Sequence, residues 1–254
     1  MISLDTRMRD YEKASKLYLT KRMPVVIRID GRSFSKFTKN FEKPFDKLLS
    51  KAMQFTMKYL CENVQGCKFG YTQSDEISLI LVDYDDIKKS AWYGYNVQKL
   101  CSVVSSIATM YFNKIYRELT NTIYNNSINK NSDQNYYDLY SAKFDEATFD
   151  TRCFNVPEND ICNYIIWRQR DAARNSVSSL GKKYFAQKYL NGKHSFDIIN
   201  MLIDRYNVHW ESFPNTYKYG SACFITNEGW VIDCNIPKIT EDRQYVESRV
   251  IFNN

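Results

Sequence analysis

The chain has 254 residues, 44% of them hydrophobic, and a formal charge of +6. That is enough apolar material for one large domain or two small ones to bury a core without disulfide or metal staples. No run approaches the ~20 apolar residues that cross a bilayer, so no membrane partner is expected. The opening MISLDTRMRDYEK carries acids too early for a secretion signal or a transit peptide, which makes the cytoplasm the expected compartment and the mitochondrion its alternative. Seven cysteines without a CxxC pair, and only two histidines, argue against structural zinc and for reduced, mostly buried thiols. The mild basicity permits a polyanionic partner without requiring one.

Along the chain, Pro24 to Ile29 (PVVIRI) reads as a buried strand that starts at a proline and ends in the turn Asp30-Gly31-Arg32-Ser33-Phe34. Leu48, Leu49, Ala52, Phe55 and Tyr59 then recur at helical spacing on one face, with Asp46 placed to cap the first turn. Lys68–Tyr71 and Ile77–Val82 form a hairpin whose tip is Thr72-Gln73-Ser74-Asp75-Glu76. Apolar positions from Ala91 to Leu119 predict a long packed helix. Asn121–Asn135, rich in Asn and Ser, is expected to be a mobile surface loop. Ala147–Val156 predicts another strand, Ile161–Phe185 a helix that weakens at Gly181, and SACFITNEGWVIDC a final hairpin turning at Asn227-Glu228-Gly229.

The order strand, Asp30 turn, helix, strand, Asp75 turn, strand brings two carboxylates together if the first strand lies beside the hairpin in one antiparallel sheet. Neighbouring strands are ~4.8 Å apart, and two such carboxylates can hold two hard cations ~3.5–4 Å apart, the arrangement used for in-line displacement at phosphorus. Magnesium suits oxygen donors of this kind. The Asp30–Ser33 turn would aim backbone amides and Arg32 at phosphates. Taken singly, an Asp-Gly or a Ser-Asp-Glu reads first as an ordinary turn.

Four segments in order change that reading: VVIRIDGRSFSKF from Val25, EKPFD from Glu42, GYTQSDEISL from Gly70 and WRQRDAARNS from Trp167. Together they resemble the tRNA(His) guanylyltransferase superfamily, which extends RNA in the 3′-to-5′ direction. The resemblance implies an α+β fold, an antiparallel sheet with packed helices like the palm of polymerases and nucleotide cyclases. It implies two Mg²⁺ ions on Asp30, the Gly31 carbonyl and Asp75. A nucleoside triphosphate, ATP, GTP or another NTP, would be lined by Asp30, Gly31, Arg32, Ser33, Phe34, Ser35, Ser74 and Asp75. Lys43 is expected to neutralise phosphate during 5′-end activation, completing with Asp30, Ser74 and Asp75 the catalytic set. Arg28, Asp46, Glu76, Arg174 and Asn175 are the remaining candidate substrate contacts, Glu76 in a supporting role; Trp167 is expected to be core.

Eukaryotic guanylyltransferases carry His-Ile-Asn-Asn where this chain has Ala173-Arg174-Asn175-Ser176, which looks like the branch of guanylyltransferase-like proteins that repair 5′-truncated tRNAs. The expected activity is therefore template-directed 3′-5′ nucleotide addition to tRNA. The alternatives are addition of one guanosine to tRNA(His), noncatalytic tRNA binding and, from the palm resemblance, nucleotide cyclisation. A homotetramer is implied by resemblance, as is one catalytic unit with a palm-like core over residues 24–185 and a C-terminal extension, 186–254, packed on it.

Overall fold

In the computed structural model, residues 2–126 and 130–251 are described. The strands are β1 (Val25–Gly31), β2 (Cys67–Gln73), β3 (Glu76–Leu81), β4 (Phe149–Asn155), β5 (Ser221–Thr226) and β6 (Gly229–Asp233). They form one antiparallel sheet in the order β4-β1-β3-β2-β5-β6. The helices are α1 (Leu4–Ala14), α2 (Phe34–Phe37), α3 (Lys47–Asn63), α4 (Val97–Asn125), α5 (Lys130–Ser141), α6 (Glu158–Tyr184), α7 (Gln187–Leu190), α8 (Ser195–Tyr206), α9 (Asn215–Lys218) and α10 (Gln244–Val250). The fold is α+β, an antiparallel sheet with helices packed on both faces.

The two-residue period of a strand divides β1 between two cores. Val25, Ile27 and Ile29, with Ile77, Leu79 and Leu81, meet Met53 and Met57 of α3 and Leu100, Val104 and Phe112 of α4. Val26 faces the other way, with Ile80, Phe69 and Tyr71, against Ile161 and Ile165 of α6 and Val246 of α10. Arg28 and Asp30 follow Val26 on that second side, so charge enters the sheet on the face that α6 covers. Residues 186–251 supply α7 to α10, and also β5 and β6, which extend the sheet beyond β2.

Several expectations change. The stretch Asn121–Asn135 is helical up to Asn125, at the end of α4, and again from Lys130, at the start of α5, with Asn126 capping α4 and 127–129 outside the described residues. Aromatic packing offsets its polar composition: Tyr124 lies 4.4 Å from Tyr137 between ring centroids, and its hydroxyl donates to Gln134 Oε1 at 2.7 Å. Helix α6 passes through Gly181, because a Cβ there would come within 2.8 Å of Ile198 Cγ2; the glycine admits α8 to close contact. Within α3 the buried stripe is Leu48, Ala52, Met53, Met57 and Leu60; Phe55 is exposed, and Tyr59 stacks on Tyr111. Helix α1 was not expected, and none of its residues is buried.

Candidate active site

β2 and β3 are joined by Ser74 and Asp75 alone, and Ser74 takes the left-handed conformation (φ 51°) that so tight a reversal requires. Its hydroxyl donates to Asp75 Oδ1 at 2.9 Å. The Gly31 amide donates to the Asp75 carbonyl at 3.0 Å, tying the end of β1 to the turn and setting Asp30 and Asp75 at one edge of the sheet. Burial pushes the Asp75 carboxyl above the usual carboxylate range; the Ser74 hydroxyl and a backbone amide oppose this, and the Asp30 charge adds to it. The guanidinium groups nearest Asp30 stand off, with Arg28 Nη2 and Arg152 Nη2 each 3.9 Å from Oδ2. Gly31 is obligatory on steric grounds, since a Cβ would lie 2.4 Å from Phe34 Cδ2.

A cation fits this edge. Two crowded carboxylates with hard oxygen donors gain from a positive charge between them. No cluster of three or more ligating side chains occurs among the described residues, so carbonyl, phosphate and water oxygens would have to complete the shell, the mixture that magnesium favours.

Beside the edge lies a cavity of about 370 Å³. Of the residues expected from sequence, Phe34, Ser35, Lys43, Asp46, Ser74, Asp75 and Asn175 line it. Arg32 and Ser33 instead flank a smaller hollow of about 240 Å³ with Lys36 and Lys143. The Phe34 ring is buried against Phe37, Phe112 and Phe149, so its contribution beyond the cavity wall is structural. The amides of Gly31 and Arg32 are used by the sheet edge and by Thr148 O, whereas those of Ser33, Phe34 and Ser35 have no partner among the described residues. Lys43 is exposed. Asp46 is buried and engaged: Oδ1 accepts from the Leu49 amide at 2.7 Å, capping α3, and Oδ2 accepts from the Glu42 amide at 3.2 Å and from the Tyr140 hydroxyl.

Sequence reading missed the polar wall on the far side. Gln54 Nε2 donates to Thr216 Oγ1 and Ser221 Oγ at 3.0 Å each, and Phe45 stacks on Tyr217 with centroids 4.8 Å apart. Nothing in the sequence signals that α9 and β5, some 160 residues further on, reach this cavity.

Glu76, the next residue after Asp75, is 4% exposed and fully engaged. Arg168 Nε and Nη2 donate to its two oxygens at 2.7 and 2.9 Å, and Arg28 Nη2 lies 2.9 Å from Oε2. Burial pushes the Glu76 carboxyl up, and the two guanidinium groups oppose it. Arg168 also reaches Asp171 Oδ2 at 2.8 Å, and Asp171 in turn holds Arg174 and, at 3.3 Å, Asn175 Nδ2. Charge thus links the hairpin to the part of α6 that carries Asn175. Among the described residues Arg28 Nε has no hydrogen-bond partner. Trp167, expected in the core, is 53% exposed. It falls on the outer side of α6, between Ile166, buried against the sheet, and Arg168, drawn down to Glu76.

No described helix is long and apolar enough to cross a membrane. The family model "Thg1: tRNAHis guanylyltransferase" matches residues 5–157, more than half of the chain. Protein R259 of Acanthamoeba polyphaga mimivirus, described as uncharacterized, is 34% identical over 233 residues, covering 84% of this chain and 74% of that one. A probable tRNA(His) guanylyltransferase of Dictyostelium discoideum is 29% identical over 220 residues, 81% of this chain and 77% of that one. A bacterial tRNA(His) guanylyltransferase-like protein solved in complex with ATP superposes with a TM-score of 0.87 at 36% identity, covering 98% of this chain and all of that one. One in complex with GTP gives 0.77 at 34%, with the same coverage. The chain belongs to the tRNAHis guanylyltransferase family, nucleotidyltransferases that act on tRNA.

Proposed function

We propose that the protein repairs 5′-truncated tRNA by template-directed addition of nucleotides in the 3′-to-5′ direction. The observation that carries this reading is the pairing of Asp30 and Asp75 at one sheet edge, tied by the Gly31 amide and opening through Ser74 and Asp75 onto a nucleotide-sized cavity. The choice of repair over histidine-tRNA maturation is supported by the segment Ala173-Arg174-Asn175-Ser176, in which Ala173 stands where the eukaryotic His-Ile-Asn-Asn carries its histidine and Asn175 and Ser176 line that cavity. The likeness to guanylyltransferase-like proteins holding ATP and GTP supports both nucleotides as substrates.

In this reading ATP or GTP activates a 5′-monophosphate with release of pyrophosphate. The 3′-hydroxyl of the incoming nucleotide then displaces the nucleoside monophosphate. Asp30, Asp75 and the Gly31 carbonyl would hold magnesium, which when bound would supply a lowered pKa for the attacking hydroxyl and neutralisation of charge on the triphosphate. The free amides of Ser33, Phe34 and Ser35, with Arg32, take triphosphate oxygens. Lys43, exposed on the cavity lining, neutralises phosphate in the activation step. Ser74 orients Asp75 through its hydroxyl. Asp46 shapes the cavity wall, because its bonds to α3 and Tyr140 already engage both its oxygens. A homotetramer would spread one tRNA over several mildly basic subunits and add phosphate contacts.

The test incubates the protein with Mg²⁺, ATP and all four NTPs on two substrates, a 5′-monophosphorylated tRNA lacking its first nucleotide and an intact tRNA(His). Mapping the 5′ ends should show the templated nucleotide restored on the first. A single guanosine on the second alone would support the guanylyltransferase reading. Absence of product on both would favour a binding protein.

A further inference from the structure

We propose that Trp167 is a stacking platform for the unpaired base that a 5′-truncated tRNA leaves at the end of its acceptor stem. The inference rests on the tRNA-repair reading above. Tryptophan gains so much from burial that an indole left 53% exposed on a long, otherwise well-packed helix calls for a reason. The ring is held from below: the Arg168 guanidinium carbon lies 4.3 Å from its centroid, Arg28 5.8 Å, and the Tyr164 ring 5.9 Å at a tilt of 59°. Arg168 is itself fixed by Glu76 and Asp171. The result is a large flat surface that does not need to be ordered when a base arrives, backed by ion-paired guanidinium groups.

Its location points to the same occupant. Arg28 bridges the indole and the reacting edge, with Nη2 3.9 Å from Asp30 Oδ2. Among the described residues the buried Arg28 Nε has no partner, so the guanidinium that touches the indole keeps one donor unused. On the outer side, Trp167 shares a hollow of about 440 Å³ with Arg170 and Arg243, both exposed. Exposed aromatic, guanidinium groups beside it, and a carboxylate edge linked to it through Arg28 are what an RNA end with a splayed base needs: a π-face for the base and cations for the backbone. An intact, fully paired stem end keeps its bases inside the stack, so the platform would favour truncated substrates.

The test uses the full-length protein with Trp167→Phe, which keeps an aromatic face, and Trp167→Leu, which keeps apolar cover over Arg168 without one. 2-Aminopurine replaces the unpaired base opposite the missing nucleotide. Binding to wild-type protein and to Trp167→Phe should quench its fluorescence, binding to Trp167→Leu should not, and the same probe placed inside the stem should be silent. In turnover, Trp167→Leu should raise KM for truncated tRNA roughly tenfold, on the scale of lost base–aromatic stacking, with KM for the incoming NTP unchanged. Equal quenching with all three proteins, or a change in KM for the NTP and not for tRNA, would overturn the proposal. If Trp167→Leu fails to fold, wild-type quenching specific to the unpaired position decides alone. Failure of wild-type protein to extend truncated tRNA would sink the repair reading, while the binding titration still judges the platform.

Discussion

Asp75 and Glu76 are neighbours in sequence, yet they belong to two regions built on opposite rules. At the turn, Asp75 has beside it the Ser74 hydroxyl, a backbone amide and the like-charged Asp30, and among the described residues no Lys or Arg forms an ion pair with it. One residue on, Glu76 lies within β3 with both oxygens taken by Arg168 and Arg28. The turn keeps negative charge that the protein itself does not neutralise, at a cost to the folded state, and a cation can repay that cost. The network beneath neutralises its charge internally and so holds α6 to the hairpin. A charged edge on an ion-paired support is how a fold keeps reacting groups in place without collapsing them onto one another.

That contrast can be broken from either side. The largest effect is expected from Asp30→Asn, which should lower nucleotide addition at least ~10³-fold, since metal ions supply several kcal/mol of transition-state charge stabilisation, while the melting transition stays near that of wild type. Next comes the support. Glu76→Gln leaves Arg168 and Arg28 facing a neutral amide in a buried site, and removing one partner of a buried pair costs about 3–5 kcal/mol. Urea unfolding should register that loss, and residual activity at low temperature should track the folded fraction.

Smaller and opposite in sign is the stability effect of Asp75→Asn. Because the Asp75 carboxyl is pushed up in the folded protein, its ionised form is the one the fold disfavours. Removing it should raise the melting temperature slightly at pH 7 to 8, and the gain should fade as pH falls through the raised value towards ~3.9, where wild-type Asp75 is itself neutralised. A gain that grew on acidification would refute the assignment. Smallest of all, Arg174→Ala removes an exposed partner of Asp171 and should change stability by less than about 1 kcal/mol.

Much of this was legible in the sequence because it is local. The apolar run of β1, the hairpin around Ser74-Asp75, the Asp46 cap and the final hairpin follow from period, turn chemistry and capping within a few residues. What sequence reading lost is long-range. Glu76 and Arg168 are 92 positions apart, and Gln54 meets Ser221 across 167, so no window could tell the structural carboxylate from the one left for chemistry. Composition misled at Asn121–Asn135, where the packing of Tyr124 of α4 on Tyr137 of α5 outweighed the asparagines. Tryptophan's burial habit misled at Trp167, whose neighbours on either side are drawn to the sheet and leave it on the outer face.

The measurement that bears most directly on the contrast is the rate at which Asp75→Asn incorporates the missing 5′ nucleotide into truncated tRNA, taken beside wild type at a temperature where unfolding curves show both proteins folded. The account predicts no product above background from a protein at least as stable as wild type. Turnover within tenfold of wild type would contradict it, and would move the reacting edge away from the hairpin tip.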